Sequence, residues 1–139
     1  MAVAWSQEWL ELQMKACLEH EEFQEEAEVL DRSFTAHVQA DPENGVPEDL
    51  YYGFHVPTMS KAFVGKENAW DTDYFLTGTY QLWLDINEGN KGLVASLLDE
   101  SMGLTRGSTS YLAMFVPAVE LFFEISGSIT TAYEGTYTK

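Results

Sequence analysis

Residues 111–125, YLAMFVPAVELFFEI, limit the fold more than any other stretch of this chain. Wound at about 100° per residue, the segment gathers Ala113, Pro117, Glu120 and Glu124 on one narrow face, while Leu112, Met114, Phe115, Val119, Leu121, Phe122, Phe123 and Ile125 cover the rest. The apolar arc is roughly 220° wide, against the ~100° stripe that an ordinary surface helix buries. A membrane span needs roughly 20 apolar residues, and this shorter run is interrupted by Pro117, Glu120 and Glu124, so it is not expected to cross a bilayer. One neighbouring layer does not cover such an arc. Deep core, a partner subunit and an apolar ligand are the three candidates for the remainder.

A chain of 139 residues is expected to form a single domain, 1–139, that buries about two-thirds of its unfolded surface. Its 23 acidic and 7 basic residues give a formal charge of −16. That balance argues against nucleic-acid phosphates or an anionic bilayer as partners, since both require clustered Lys and Arg. The single cysteine, Cys17, allows no internal disulfide and no cysteine-built zinc site. MAVAWSQEWLEL lacks a positive leader followed by an apolar core, so the expected setting is the cytoplasm.

Ser6 is placed to cap a long first helix that ends near Leu30, with Trp9, Leu12, Ala16, Phe23, Ala27 and Leu30 on its inner face. The period then switches to two. In SFTAHVQA, Phe34, Ala36, Val38 and Ala40 alternate with polar residues, and after the turn DPENGVP the run LYYGFHV resumes with Leu50, Tyr52, Phe54 and Val56. Two further short strands, SKAFVGK and TDYFLTG, follow. Helical spacing returns from Tyr80 to Gly89 and again over 93–98, SMGLTRG reads as a fifth strand, and Ser108 or Thr109 caps the final helix. The order α-ββββ-αα-β-α predicts an α+β fold, with one mainly antiparallel five-stranded sheet covered on one face by helices.

No constellation for covalent chemistry is present. His20 lies in an acidic helical run, while His37 and His55 sit on the polar phase of neighbouring strands with no third ligand at a supporting spacing. GNKG at 89–92 lacks the remaining residues of a phosphate loop. Glu120 and Glu124, one turn apart, lie on the polar face of the last helix, where solvent is the expected neighbour. No catalytic residue, metal or cofactor is therefore assigned, and the protein is not expected to be an enzyme. What the sequence holds in surplus is apolar surface.

Between Tyr74 and Leu112 the chain reads YFLTGTYQLWLDINEGNKGLVASLLDESMGLTRGSTSYL. A strand ends at Gly78, a helix carries Trp83 and stops at Gly89, a short helix covers 95–98, a strand spans 102–106, and Gly107 precedes the helix from Tyr111. This pattern resembles the sterol carrier protein 2 family, the nonspecific lipid-transfer proteins. It departs from the family at Gly92, where Pro is common, and residues 127–139 extend past the usual last helix. The resemblance implies an apolar tunnel between sheet and helices that holds a fatty acyl chain, acyl-CoA, sterol or similar lipid. Its expected lining is Phe54, Tyr74, Leu76, Met102 and Leu104 from strands, Leu82, Trp83, Ile86 and Leu97 from the short helices, and Leu112, Phe115, Val119 and Phe122 from the last helix. The expected partner is thus a hydrophobic small molecule. The alternative is an interaction module, in which a second copy of the chain or a partner enzyme covers the wide helix face.

Overall fold

The computed structural model describes residues 2–137. Helix α1 (Gln7–Glu19) starts where the Ser6 hydroxyl accepts the Trp9 amide at 3.2 Å, as expected. The single long helix does not form. His20 takes an extended backbone and its Nδ1 accepts the Phe23 amide at 3.1 Å, which caps a separate α2 (Glu21–Ala27). That cap resets the helical phase: α1 buries Trp9, Leu10, Gln13 and Cys17, α2 buries Phe23 and Ala27, and Leu12 is left 41% exposed.

Five strands follow the expected order, β1 (Arg32–Gln39), β2 (Leu50–Val56), β3 (Phe63–Val64), β4 (Tyr74–Thr79) and, later, β5 (Gly103–Arg106). They lie side by side as β3-β2-β1-β4-β5, all pairs antiparallel except the central β1–β4 pair. The parallel pair arises because the chain leaves β3 at one edge and crosses the sheet before β4. The crossing segment covers part of the outer face, where the strand alternation alone predicts solvent. There the Thr35 hydroxyl donates to the Ala69 carbonyl at 2.7 Å, Trp70 stacks on Phe75 at 4.4 Å, and Phe63, Ala69 and Phe75 form a small second core. The inner face carries the alternating set Ala36, Val38, Tyr52, Phe54, Val56 and Leu76, all buried.

Helices α3 (Tyr80–Asn87) and α4 (Leu93–Leu98) close one side of that inner face, and Gly89 ends α3 in the left-handed region at φ 81°. The final helical stretch is interrupted: α5 (Thr109–Leu112) passes through a 3₁₀ turn at Ala113–Phe115 into α6 (Val116–Ile129). Pro117 sits in the first turn of α6, where its missing amide donor breaks no helical bond. Together Thr109–Ile129 spans 21 residues and holds an 18-residue window of mean hydropathy 1.6, enough by length and composition to cross a bilayer, so shortness does not exclude a span as the 111–125 run alone suggests. In this fold the segment packs on α1, α2 and α3, with Leu112, Ala118 and Ile125 in the core.

Gly127 and the two residues after it complete α6 rather than extending beyond it, and 130–137 wrap back over the domain. Ala4 donates to the Ala132 carbonyl at 3.0 Å, Thr136 donates to the Asn44 carbonyl at 2.7 Å, and Tyr137 stacks on Tyr80 at 4.6 Å. Residues 138–139 of the expected extension lie outside the described residues. Burial pushes the Tyr80 phenol up to about 12, and the hydrogen bond to Asp41 does the same for Tyr137. Unfolded tyrosine ionises near pH 10, so the stability these phenols contribute is complete below that pH and is lost as pH rises through about 12. Urea midpoints should therefore fall between about pH 10 and pH 12. Tyr137→Phe should be less stable than the parent at neutral pH and show a shallower alkaline fall.

Candidate functional site

Between the inner face of the sheet and α6 lies a cavity of about 60 Å³. Its floor is Phe34 and Ala36 of β1, Tyr52, Gly53, Phe54 and Val56 of β2, and Leu76 of β4. The walls are Phe23, Leu30, Trp83, Leu93 and Leu112, and the roof is Ala118, Val119, Phe122 and Phe123 of α6. Strand alternation produces the floor, because residues two apart point to the same side. Trp83 is held in place by its indole N–H, which donates to the His37 carbonyl at 2.9 Å. Phe122 packs between Phe54 at 5.3 Å and Phe23 at 6.2 Å, with Phe123 edge-on at 5.0 Å.

Among the described residues, no charged side chain lines the cavity. Its one side-chain hydroxyl is that of Tyr52, whose ionisation burial pushes far above the usual phenol range. Gln13, buried on α1 with no protein hydrogen bond to its amide, is not part of the lining. The Cys17 thiol is pushed up to about 12 by burial, so it stays protonated and inert at neutral pH. Such a wall attracts apolar matter and offers nothing to polarise a bond.

Of the sequence-proposed lining, Phe54, Leu76, Trp83, Leu112, Val119 and Phe122 meet at this cavity. The other seven stand elsewhere, six in the core away from it and Ile86 at the edge of a neighbouring space. Tyr74 stacks on Phe34 at 4.8 Å and its hydroxyl donates to the Ser108 carbonyl at 2.9 Å. Leu82 and Met102 close over Gly78, where an added Cβ would come within 3.2 Å and 3.1 Å of them respectively. Ile86 and Leu97 are buried in the same core cluster, and Leu104 is half-buried against it. Phe115 leaves the cavity because the 3₁₀ turn rotates it out of phase with Phe122, and it packs on Tyr111 at 5.1 Å. Sequence spacing does not single out Phe23, Leu30, Phe34, Tyr52, Leu93 or Phe123 as lining. The strand members among these carry a readable inward phase, and Phe23 and Leu30 lie on the inner face read for the first helix, although that spacing does not separate cavity wall from core.

His37 and His55 do not meet. His37 lies opposite Tyr51 and His55 opposite Ser33, and each bonds a carboxylate of its own, His37 to Asp49 at 2.7 Å and His55 to Asp31 at 2.6 Å. Asp49 is held below the usual carboxylate range by its hydrogen bond from His37. Among the described residues, no group of three His, Cys, Asp or Glu is placed to hold a metal.

No family model and no curated protein matches the sequence. Solved structures do. A crystal structure of sterol carrier protein 2 superposes with a TM-score of 0.78 over 89% of this chain and 97% of that one, at 17% identity. The chain has the sterol carrier protein 2 fold. A conserved hypothetical protein of Thermus thermophilus, itself suggested to be a sterol carrier protein, superposes with a TM-score of 0.81 at 17% identity, covering 91% of this chain and 89% of its own. The palmitated sterol carrier protein 2-like 2 of Aedes aegypti reaches 0.54 at 12% identity, over 84% of this chain and 94% of that one. At these identities the likeness establishes the sterol carrier protein 2 fold, including the mixed sheet, and leaves the lining to this chain's own residues.

Phe115 and Phe122 are separated by this geometry. Phe122→Ala should cost about 1–2 kcal/mol, below the roughly 3–5 kcal/mol of a fully packed Phe, because part of its ring faces the cavity. It should also alter the tryptophan emission, since Phe122 and Trp83 line one space. Phe115→Ala should leave that emission unchanged. Urea denaturation and fluorescence spectra of the two variants check both statements.

Proposed function

We propose that the protein binds one hydrophobic molecule per chain, without covalent chemistry, in the cavity beneath α6. The ligand is an acyl chain, a sterol or a lipid of similar bulk, and the role is to bind or transfer it. The observation that carries this reading is the lining: sixteen residues from every layer of the fold enclose one space, and none of them is charged. Sterol carrier names among the structures that share the fold, one of them palmitated, support the same class of ligand.

At about 60 Å³ the cavity is far below the roughly 300–1,000 Å³ of occupied small-molecule pockets. Binding therefore requires the roof to lift. The roof is suited to that movement, because Val119, Phe122 and Phe123 are only half-buried, whereas the floor residues other than Phe34 are buried. A cytoplasmic setting, where Cys17 stays reduced, belongs to the same proposal. The second reading, a dimer or a partner enzyme seated on the helix, draws on Met114, which is 73% exposed on the turn before α6.

Titration with dodecanol or cholesterol should change the tryptophan emission, through Trp83 in the cavity wall, to saturation at one molecule per chain. At 100 times the dissociation constant the native state gains about 2.7 kcal/mol, so the melting temperature should rise by several degrees. Unchanged emission and an unchanged melting temperature with every hydrophobe tested would refute the proposal.

A further inference from the structure

A second space of about 680 Å³ lies beside the apolar cavity, between the turn at 89–92 and the outer side of α6. The two spaces share three lining residues, Leu93, Val119 and Phe123. These form the partition between the apolar chamber and a groove whose lining mixes charged, polar and apolar residues. Phe123 is half-buried and meets Phe122 only edge-on, so it is the largest movable part of that partition.

The groove's charges are unequal. Among the described residues, Glu88, Glu120 and Glu124 line it against a single cation, Lys91. That ammonium is already engaged, 3.1 Å from an Asp99 carboxylate oxygen and 2.8 Å from the Ser101 hydroxyl. Asn90 and Ser128 supply further polar side chains, while the Asn87 amide at the groove's edge is buried and bonded to Ser126, Thr130 and Tyr133. An amphiphile whose tail passes Phe123 leaves its head in this groove. A carboxylate or phosphate head there would face three carboxylates and an ammonium already paired, while a hydroxyl or an ammonium would find acceptors.

We propose that the groove between α6 and the turn at 89–92 is the mouth of the cavity, with Phe123 as its gate, and that it selects lipids with hydroxyl or amine heads over fatty acids and acyl-CoA. This rests on the lipid-binding reading and narrows it. A net negative surface repels anions anywhere on the protein, so the test must separate the mouth from the overall charge of −16.

Dodecanol, dodecylamine and laurate share one tail and differ in the head. Intrinsic tryptophan fluorescence at low ionic strength should show dodecanol and dodecylamine binding at least about tenfold more tightly than laurate, given the fixed carboxylates at the mouth. Glu120→Gln with Glu124→Gln should close most of that gap. Glu48→Gln with Glu67→Gln, which removes the same charge from exposed positions outside the groove, should leave it open. Phe123→Ala should speed association of all three. Laurate binding as well as dodecanol, or equal effects of the two double variants, overturns the selection. Binding of none of the three overturns the lipid reading itself, and the mouth with it.

Discussion

The structure depends on how the last helix is held at its C-terminal end. Trp9 Nε1 donates to the Thr130 hydroxyl at 2.8 Å, Asn87 Nδ2 donates to the same oxygen at 3.1 Å, and the Ser126 hydroxyl donates to Asn87. These groups are buried, so breaking any one strands a polar partner in the core at a cost of about 1–3 kcal/mol. Gly127 lets α3 and α6 approach closely here, since a Cβ would lie 2.7 Å from the Asn87 carbonyl oxygen. The N-terminal half of α6 is held differently: Val119, Phe122 and Phe123 rest on aromatic and aliphatic contacts above the cavity. One end of the helix is held by buried hydrogen bonds and the other by apolar contacts above the cavity.

That asymmetry answers the excess of apolar surface on 111–125. Part of the arc packs into the core through Leu112, Ala118 and Ile125, and part roofs the cavity. Another part, including Met114, faces outward. The 3₁₀ turn distributes these shares, because it shifts the helical phase between Leu112 and Val116. Pro117 fits that shift, as the first turn of a helix is where a missing amide donor does no harm.

Much of the fold can be read in the chain. The strand phases at Ala36, Tyr52, Phe54 and Leu76, the caps at Ser6 and Ser108, and the stop at Gly89 follow from local chemistry that the tertiary structure keeps. The cavity is legible only in part, for two physical reasons. A histidine cap at His20 splits the first helix, so that Phe23, read inward on one long helix, reaches the cavity from a separate one, and nothing in an acidic run announces the split. The phase shift at Ala113–Phe115 then takes Phe115 away from Phe122, although seven-residue spacing would align them on an unbroken helix. Residues such as Leu97 and Met102 show the further limit: apolar spacing identifies what is buried, and does not separate core from cavity wall.

Native mass spectrometry of the chain, purified without detergent and incubated with dodecanol, tests the central claim most directly. The account predicts the 15.7 kDa chain with one hydrophobe bound, lost on collisional activation and displaced by a competing tail. A bare chain at every concentration, or adducts that accumulate without saturating at one, would contradict it.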